Sequence, residues 1–210
     1  MKGRLIVFEG IDGVGKATQT RLLAKELRKA GKQVTVFTSP RYDLRTGALV
    51  RRALKGEFGD FVKLQPYVSA LPYLVDFAAW SKDVRAALAR GDVICDRYIH
   101  STLAYHGAKL AAAARAKFLK DIGDIAFKSI ELPKPDVIFL LEVPVGVSQE
   151  LMRSKKKDQY EADTAFQARV ADTYRSLAKG RGWRTIRCAP EGAMRKREEI
   201  HAEIRQAVSR

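Results

Sequence analysis

The chain has 210 residues, of which 46% are hydrophobic, and it carries a formal net charge of +15 at pH 7. That length suffices for one domain with a buried core, and the short apolar run in "MKGRLIVFEG" excludes a membrane span and makes a poor signal peptide. The excess of cations calls for an anionic partner, but the basic stretches lack interleaved aromatic residues and any nucleic-acid motif. We therefore expect a cytosolic (cytoplasmic) protein without a membrane or nucleic-acid partner.

The predicted elements alternate between strands and helices along the whole chain. Buried strands are predicted at 4–10, 33–39, 92–98, 135–144 and 183–188. Mainly helical segments are predicted at 17–30, 46–55, 64–90, 101–130, 145–153, 162–180 and 195–209. Pro66 and Pro72 should end or bend the third helical segment, so that it begins irregularly. Strands separated by helices favour a parallel sheet covered on both faces.

A glycine-rich loop joins the first predicted strand to the first predicted helix. Reading G-x-x-x-x-G-K from Gly10 places Gly15 and Lys16 correctly for a phosphate-binding loop, although a glycine-rich turn without a ligand is the alternative. Glycines there let backbone N–H groups turn inward, and the lysine supplies a point charge to the outer phosphates. The candidate residues for binding nucleotide phosphates are Gly10, Ile11, Asp12, Gly13, Val14, Gly15, Lys16, Ala17 and Thr18.

The loop departs from the motif at Ala17, which stands where a magnesium-binding hydroxyl is expected. Thr18 offers a hydroxyl one residue later, but it would point about 100° further round a helix. Magnesium keeps several waters and is often held through few protein groups, so Asp96 could hold it through water. We expect Mg²⁺ to bind with ATP without a direct ligand from the protein.

Five stretches occur in an order and spacing that closely resemble thymidylate kinases, and together they cover most of the chain: "FEGIDGVGKATQ", "SPRYDLRTG...RRALKGEFGD", "DRYIHSTLAYHGAKL", "LPKPDVIFLLEVP" and "DQYEAD". The resemblance implies an α/β fold of the P-loop NTPase type, a three-layer sandwich with a five-stranded parallel sheet. It implies a single domain with a phosphate loop at 10–17, a nucleoside-monophosphate (NMP)-binding region at about 39–110 and a short lid at about 153–163. The implied reaction is phosphoryl transfer from ATP to dTMP, giving dTDP and ADP in dTTP biosynthesis, by a homodimer.

The resemblance also implies roles for polar residues near the sheet. Asp12 would bind the 3′-hydroxyl of the deoxyribose, although an aspartate before Gly13 is also common in turns. Arg97 would hold the dTMP phosphate, and Asp96 would orient magnesium-bound water or the phosphates; an ion pair at the strand end is the alternative. Arg41 resembles a second phosphate-binding arginine, with an ordinary surface position as its alternative.

The base site contains a second departure from the family. Tyr73 falls where thymidylate kinases place an aromatic that stacks on the base. Tyr105 resembles the aromatic that packs against the sugar and disfavours a 2′-hydroxyl, with a helix core position as its alternative. Phe77, however, falls where an arginine is usual, and it cannot donate a hydrogen bond to a carbonyl group. Either another donor substitutes or base discrimination is weak. Tyr73 and Phe77 could instead form an i, i+4 pair in the core.

The run "RSKKKDQYEAD" has the composition of a lid. Family members without an arginine inside the phosphate loop supply the catalytic arginine from the lid, and Gly13 occupies the position of such a loop arginine. The candidates are Arg153 and the lysines at 155–157, and arginine suits a planar, bidentate phosphate contact better. We therefore expect Arg153 to be catalytic.

Two other functions are compatible with parts of this pattern. A kinase of another nucleoside monophosphate or of a deoxynucleoside would share the loop and the Asp-Arg pair; the "SPRY...GEFGD" segment argues against it, but Phe77 keeps it open. A non-catalytic nucleotide-binding relative would account for both Ala17 and Phe77. Because Lys16, Arg97 and the cationic lid are all present, we expect an enzyme.

Overall fold

A computed structural model describes residues 3–154 and 159–208. Its five strands form one parallel sheet in the order β2-β3-β1-β4-β5. The strands are β1 (Leu5–Glu9), β2 (Val34–Thr38), β3 (Asp92–Asp96), β4 (Val137–Glu142) and β5 (Trp183–Arg187). Strand β1 lies in the centre, so all five of its residues are buried. The chain builds the sheet on both sides of β1, and ligands of such sheets bind beyond the carboxyl end of the strand where the order reverses.

Helices cover the sheet on both faces, which confirms the predicted α/β class. They are α1 (Lys16–Lys29), α2 (Arg45–Leu54), α3 (Pro66–Arg90), α4 (Ile99–Gly107), α5 (Ala112–Asp124), α6 (Val145–Leu151), α7 (Gln159–Ala162), α8 (Thr164–Leu177) and α9 (Arg197–Val208). A short π-helix, Ile125–Ser129, follows α5. Large rings fill the space beside the sheet, where Phe8 stacks on Phe139 with ring centroids 5.3 Å apart.

The five strands were predicted correctly, but two helical segments differ from the prediction. The segment predicted at 101–130 is broken, because α4 ends at Gly107 and α5 begins at Ala112. Helix α3 does not end at Pro72, which lies inside it. Pro66 occupies the first turn of α3, where a missing N–H costs nothing because no intrahelical acceptor exists there. Packing of the buried side of α3 outweighs the one hydrogen bond that Pro72 removes.

Candidate active site

The phosphate loop lies at the carboxyl end of the central strand β1. Gly10, Gly13 and Gly15 have φ angles of 140°, 76° and 91°, which residues with a Cβ atom adopt only with strain. Helix α1 begins directly after Gly15, so its first-turn amides have no intrahelical acceptor and point out of the helix. Together with the positive end of the helix dipole, these amides make a binding site for an anion.

Lys16 supplies the positive charge of this loop. It is only 6% exposed, and its Nζ atom donates to the carbonyl groups of Gly10 at 3.0 Å and Ile11 at 2.6 Å. Burial and the charge of Arg97 lower the pKa of Lys16 to about 8. The ammonium group therefore remains mostly protonated at neutral pH, and the loop carbonyl groups hold it in a buried position.

Helix α6 packs directly against Gly13. A Cβ atom at position 13 would lie 2.7 Å from Cγ of Met152, and the Ser148 hydroxyl donates to the main-chain carbonyl of Asp12 at 2.6 Å. The space that a side chain at position 13 would need is thus filled by Met152. Arg153 follows immediately, is 81% exposed and pairs with Glu150 at 3.2 Å. The predicted lid therefore begins next to the phosphate loop; Lys155, Lys156 and Lys157 lie outside the described residues.

Asp12 turns its carboxylate away from the glycines and towards Arg97 and Tyr105. Nη2 of Arg97 and the hydroxyl of Tyr105 each donate to one of its oxygens. Burial would raise the pKa of Asp12, but the charges of Arg97 and Lys16 outweigh it and hold that pKa below its usual value. Asp12 is therefore ionised and links the phosphate loop to the residues that follow β3.

Arg97 is held from several sides. Its backbone has a φ of 66°, a conformation uncommon outside glycine, and its N–H donates to the carbonyl of Phe8 at 3.0 Å. Nη1 donates to Ser101 Oγ at 3.0 Å and to the Gly10 carbonyl at 3.2 Å, and the guanidinium carbon lies 5.4 Å from the centroid of the Tyr105 ring. Such an oriented guanidinium group suits a phosphate group.

Glu9 supports this arrangement, although sequence reasoning did not identify it as a site residue. Its Oε1 accepts from the backbone N–H groups of Tyr98 and Ser101, and its Oε2 accepts from the hydroxyls of Ser101 and Tyr174. Burial raises the pKa of Glu9, while the Ser101 hydroxyl, the charge of Arg97, the Tyr98 N–H and the Tyr174 hydroxyl oppose the shift. Because Ser101 also accepts from Arg97, Glu9 positions Arg97 indirectly. The available signal was an acid at the end of a wholly apolar strand.

A cavity of about 100 Å³ adjoins Asp12 and Arg97. It brings together four of the predicted residues, Asp12, Tyr73, Arg97 and Tyr105, with others that sequence reasoning missed. Its remaining wall is formed by Pro40, Tyr42, Leu54, Ser101, Thr102, His106 and Tyr160. Positions 102, 105 and 106 share one face of α4, which is the sequence signal that could have identified Thr102 and His106.

Two predicted substrate contacts are not among the residues of this cavity. Phe77 is 1% exposed and packs against the rings of Trp80 and Tyr98, at centroid distances of 5.3 and 5.6 Å, so the structure favours the core interpretation. Arg41 directs its guanidinium group to the carboxylate of Asp43, at 2.9 and 2.6 Å. To contact a phosphate in the cavity, Arg41 would have to leave Asp43.

The predicted metal-related residues lie beside the phosphate loop. Asp96 is 8% exposed, ends β3 and raises the pKa of Lys16 through its charge, against the larger effects of burial and Arg97. Ala17 is exposed on the first turn of α1, and Thr18 is half-buried there. In the parts of the chain that the structure describes, no three acidic, histidine or cysteine side chains cluster as a metal site. One carboxylate beside a phosphate site fits a magnesium ion that is held mainly by water and phosphate.

A glycine-rich loop with a buried lysine, next to an arginine-lined cavity for a second ligand, defines a P-loop kinase acting on a nucleoside monophosphate. Over residues 8–204 the chain matches the family model described as thymidylate kinase. It is 35% identical to thymidylate kinase of Mycobacterium tuberculosis, over 85% of this chain and 87% of the relative. It is 33% identical to a probable thymidylate kinase of Methanocaldococcus jannaschii, over 95% and 92%. The chain therefore belongs to the thymidylate kinase family.

A solved structure supports the fold independently. Thymidylate kinase from Candida albicans, whose structure was reported to reveal the origin of broad substrate specificity, matches with a TM-score of 0.78. The match has 22% sequence identity and covers 99% of this chain and 92% of that one. No helix in the described ranges 3–154 and 159–208 is long and apolar enough to cross a membrane.

Proposed function

We propose that the protein transfers the γ-phosphoryl group of ATP to dTMP, giving dTDP and ADP. The observation that carries this proposal is the contact of Asp12 with Arg97 and Tyr105, because it joins the phosphate loop to the walls of the cavity beside it. Two polyanions bound at these sites would meet end to end, which is the arrangement that phosphoryl transfer requires.

In this proposal, ATP binds with its phosphates on the loop at 10–17. The first-turn amides of α1 and the Lys16 ammonium group would stabilise the charge on the transferring group. Magnesium bound with ATP would supply further positive charge, held by Asp96 through water and by the phosphates rather than by Ala17. Asp96 is a buried carboxylate beside the phosphate loop, and a carboxylate can hold magnesium through bound water.

The acceptor would lie in the cavity that adjoins Asp12 and Arg97, within the NMP-binding region at about 39–110. Arg97 would bind its phosphate, Asp12 its 3′-hydroxyl group, Tyr105 would pack against the sugar and Tyr73 against the base. Arg97 and Tyr105 are already bonded to Asp12, so the three side chains are oriented before the acceptor binds. Arg41 would join them only after exchanging Asp43 for the phosphate.

The lid at about 153–163 would close over the two ligands and exclude water. Arg153 begins this segment directly after Met152, the residue that packs on the phosphate loop. Its exposed side chain pairs with Glu150 and would leave that carboxylate to contact the transferring phosphoryl group. The lysines at 155–157 are the alternative source of this cation.

Helix α3 would form the interface of a homodimer. Val68, Leu71 and Val75 are 50–55% exposed and recur at intervals of three and four residues, so they form an apolar stripe on the outer side of the helix. In a two-fold symmetric dimer the same surface of both copies meets, so this stripe would pack against the stripe of a second copy of the chain. The predicted cytosolic location stays a prediction.

A coupled ADP-release assay with dTMP, dUMP, dCMP and other nucleoside monophosphates tests the proposed function. We expect dTMP to be phosphorylated with the highest kcat/KM. Release of ADP with another acceptor but not with dTMP would favour the second candidate, a kinase of a different nucleoside monophosphate. That candidate is supported by the position of Phe77, because no arginine reads the base from that site.

A further inference from the structure

Two polar side chains of α4 line the cavity that adjoins Asp12 and Arg97. Thr102 is 2% exposed, and its Oγ1 atom has no hydrogen-bond partner within the described residues. His106 is 1% exposed and lies one helical turn later on the same face. Both line the cavity with Tyr73, whose ring meets the His106 ring edge-on at 5.3 Å. A buried hydroxyl without a partner is costly unless a ligand supplies one.

The ring of His106 is fixed by a contact outside the cavity. Its Nδ1 atom lies 2.9 Å from Oγ of Ser69, on α3, and Ser69 is not among the cavity residues. Within the described residues, His106 hydrogen-bonds through Nδ1 alone, so Nε2 remains for a ligand. Burial, reinforced by the nearby charge of Lys109, lowers the pKa of His106 well below its usual value, so the ring is neutral. One ring nitrogen therefore donates and the other accepts.

The contacts of Ser69 with Lys109 and the main chain favour one tautomer of His106. Its Nζ atom donates to Ser69 Oγ at 2.8 Å, and the Ser69 hydroxyl is within 3.2 Å of the Gln65 carbonyl and 3.3 Å of the Pro66 carbonyl. An ammonium group can only donate, so it occupies one lone pair of Ser69. With the hydroxyl proton directed to the main chain, the second lone pair accepts from Nδ1–H of His106. The Nε2 atom then presents a lone pair.

We propose that His106 and Thr102 read the base edge of the acceptor, and that Ser69 and Lys109 set this reading by holding His106 in the Nδ1–H tautomer. Nε2 would accept from N3–H of thymine, and the Thr102 hydroxyl would donate to O4. Cytosine presents a lone pair at N3, so it would face the Nε2 lone pair and be rejected. This inference rests on the proposed function and supplies the base-reading groups that Phe77, in the core, does not.

The decisive variant is His106→Phe, which keeps an aromatic ring beside Tyr73 and Tyr160 but removes both nitrogens. We expect the ratio of kcat/KM for dTMP to that for dCMP to fall roughly tenfold or more, with KM for ATP unchanged, because a polar site rejects a mismatched base more strongly than an apolar site. Ser69→Ala should lower the same ratio by a smaller factor, because Nδ1 loses its acceptor. Ser81→Ala is the matched control, since that buried hydroxyl lies on the same helix and donates to Ala78.

Two measurements keep this inference separate from the kinase activity. Calorimetric dissociation constants for dTMP and dCMP need no turnover, and equal affinities in the unaltered protein would overturn the base-reading role even if ADP release with dTMP is intact. ¹⁵N NMR of the histidine rings reports the tautomer, and a proton on Nε2 of His106 would overturn both the part assigned to Ser69 and Lys109 and the acceptance of N3–H by His106. If His106→Phe does not fold, Ser69→Ala and the NMR measurement decide. No dTMP turnover, with selective dTMP binding, would overturn the proposed function alone.

Discussion

Met152 packs so closely on Gly13 that a Cβ atom at position 13 would lie 2.7 Å from its Cγ atom. Two physical reasons therefore favour glycine at position 13: the backbone φ of 76° and the lack of space for a side chain. Met152, at the end of α6, also occupies the volume that an arginine side chain at position 13 would need.

The first prediction follows from this contact. Gly13→Ala should lower both the melting temperature and the affinity for ATP, because it adds strain and displaces Met152. Gly15→Ala adds backbone strain at a φ of 91° but meets no atom within 4 Å, so it separates strain from the clash. Met152→Ala should partly restore the Gly13→Ala variant and should not restore Gly15→Ala. Equal recovery of both would contradict the clash.

Lys16→Met should reduce turnover by several orders of magnitude, because it removes a positioned cation where charge develops on the transferring group. The methionine side chain keeps much of the apolar volume of lysine, so the melting temperature should change little compared with the loss of turnover. Steady-state kinetics with ATP and dTMP measure the effect. A turnover close to that of the unaltered protein would show that the loop is not the phosphate site.

Arg153→Ala and Arg97→Ala should give different kinetic patterns. If Arg153 acts mainly in the closed state, its loss should lower kcat far more than it raises either KM. Loss of Arg97 should raise KM for dTMP and lower kcat with ATP binding near normal. The lysines at 155–157, changed singly, should have smaller effects than Arg153; one lysine with the dominant effect would assign the lid cation to it instead.

Phe77→Arg should destabilise the fold by several kcal/mol rather than sharpen selection of the base. The sequence alone suggested the opposite, because family members usually carry arginine at this position. In the structure Phe77 is enclosed by Trp80 and Tyr98, so an arginine would bury an unpaired charge. Chemical denaturation measures the loss, and Phe77→Leu, which keeps the site apolar, is the control. A stable variant with sharper discrimination against dCMP would place this side chain in the cavity.

His100 should make the protein less stable as the solution becomes acidic. Burial lowers the pKa of His100 from 6.5 to about 4, and its ring packs against Trp183, Tyr98 and Phe127. The unfolded chain takes up the proton below pH 6.5 and the folded chain only near pH 4. This contribution is therefore present above pH 6.5 and is lost between pH 6.5 and 4, by about 3 kcal/mol in total.

His100→Phe removes that proton uptake and keeps an aromatic ring. The free energy of unfolding of this variant should depend less on pH between 4 and 6.5 than that of the unaltered protein. Urea denaturation at several pH values gives both curves. Parallel curves over this range would mean that His100 is not held neutral by burial.

The amino-acid sequence by itself determined the five strands, the phosphate loop and the family. Local patterns indicate these features: short apolar runs between helical segments, and glycines and a lysine at fixed spacing after a strand. Asp12, Arg97, Tyr73 and Tyr105 could also be selected from the sequence, because they occur inside stretches that resemble the family. The sequence could not fix the direction of each side chain.

Tertiary packing decided the rest. Glu9 collects donors from residues 89 to 165 positions away, and the contact of Ser69 with His106 joins two helices, so no local pattern records either. Phe77 lies in the core because Trp80 and Tyr98 enclose it, and its position in the sequence fits either a core or a base-binding residue. A side chain's role depends on which neighbours the fold brings around it, and long-range contacts, rather than spacing along the chain, determine those neighbours.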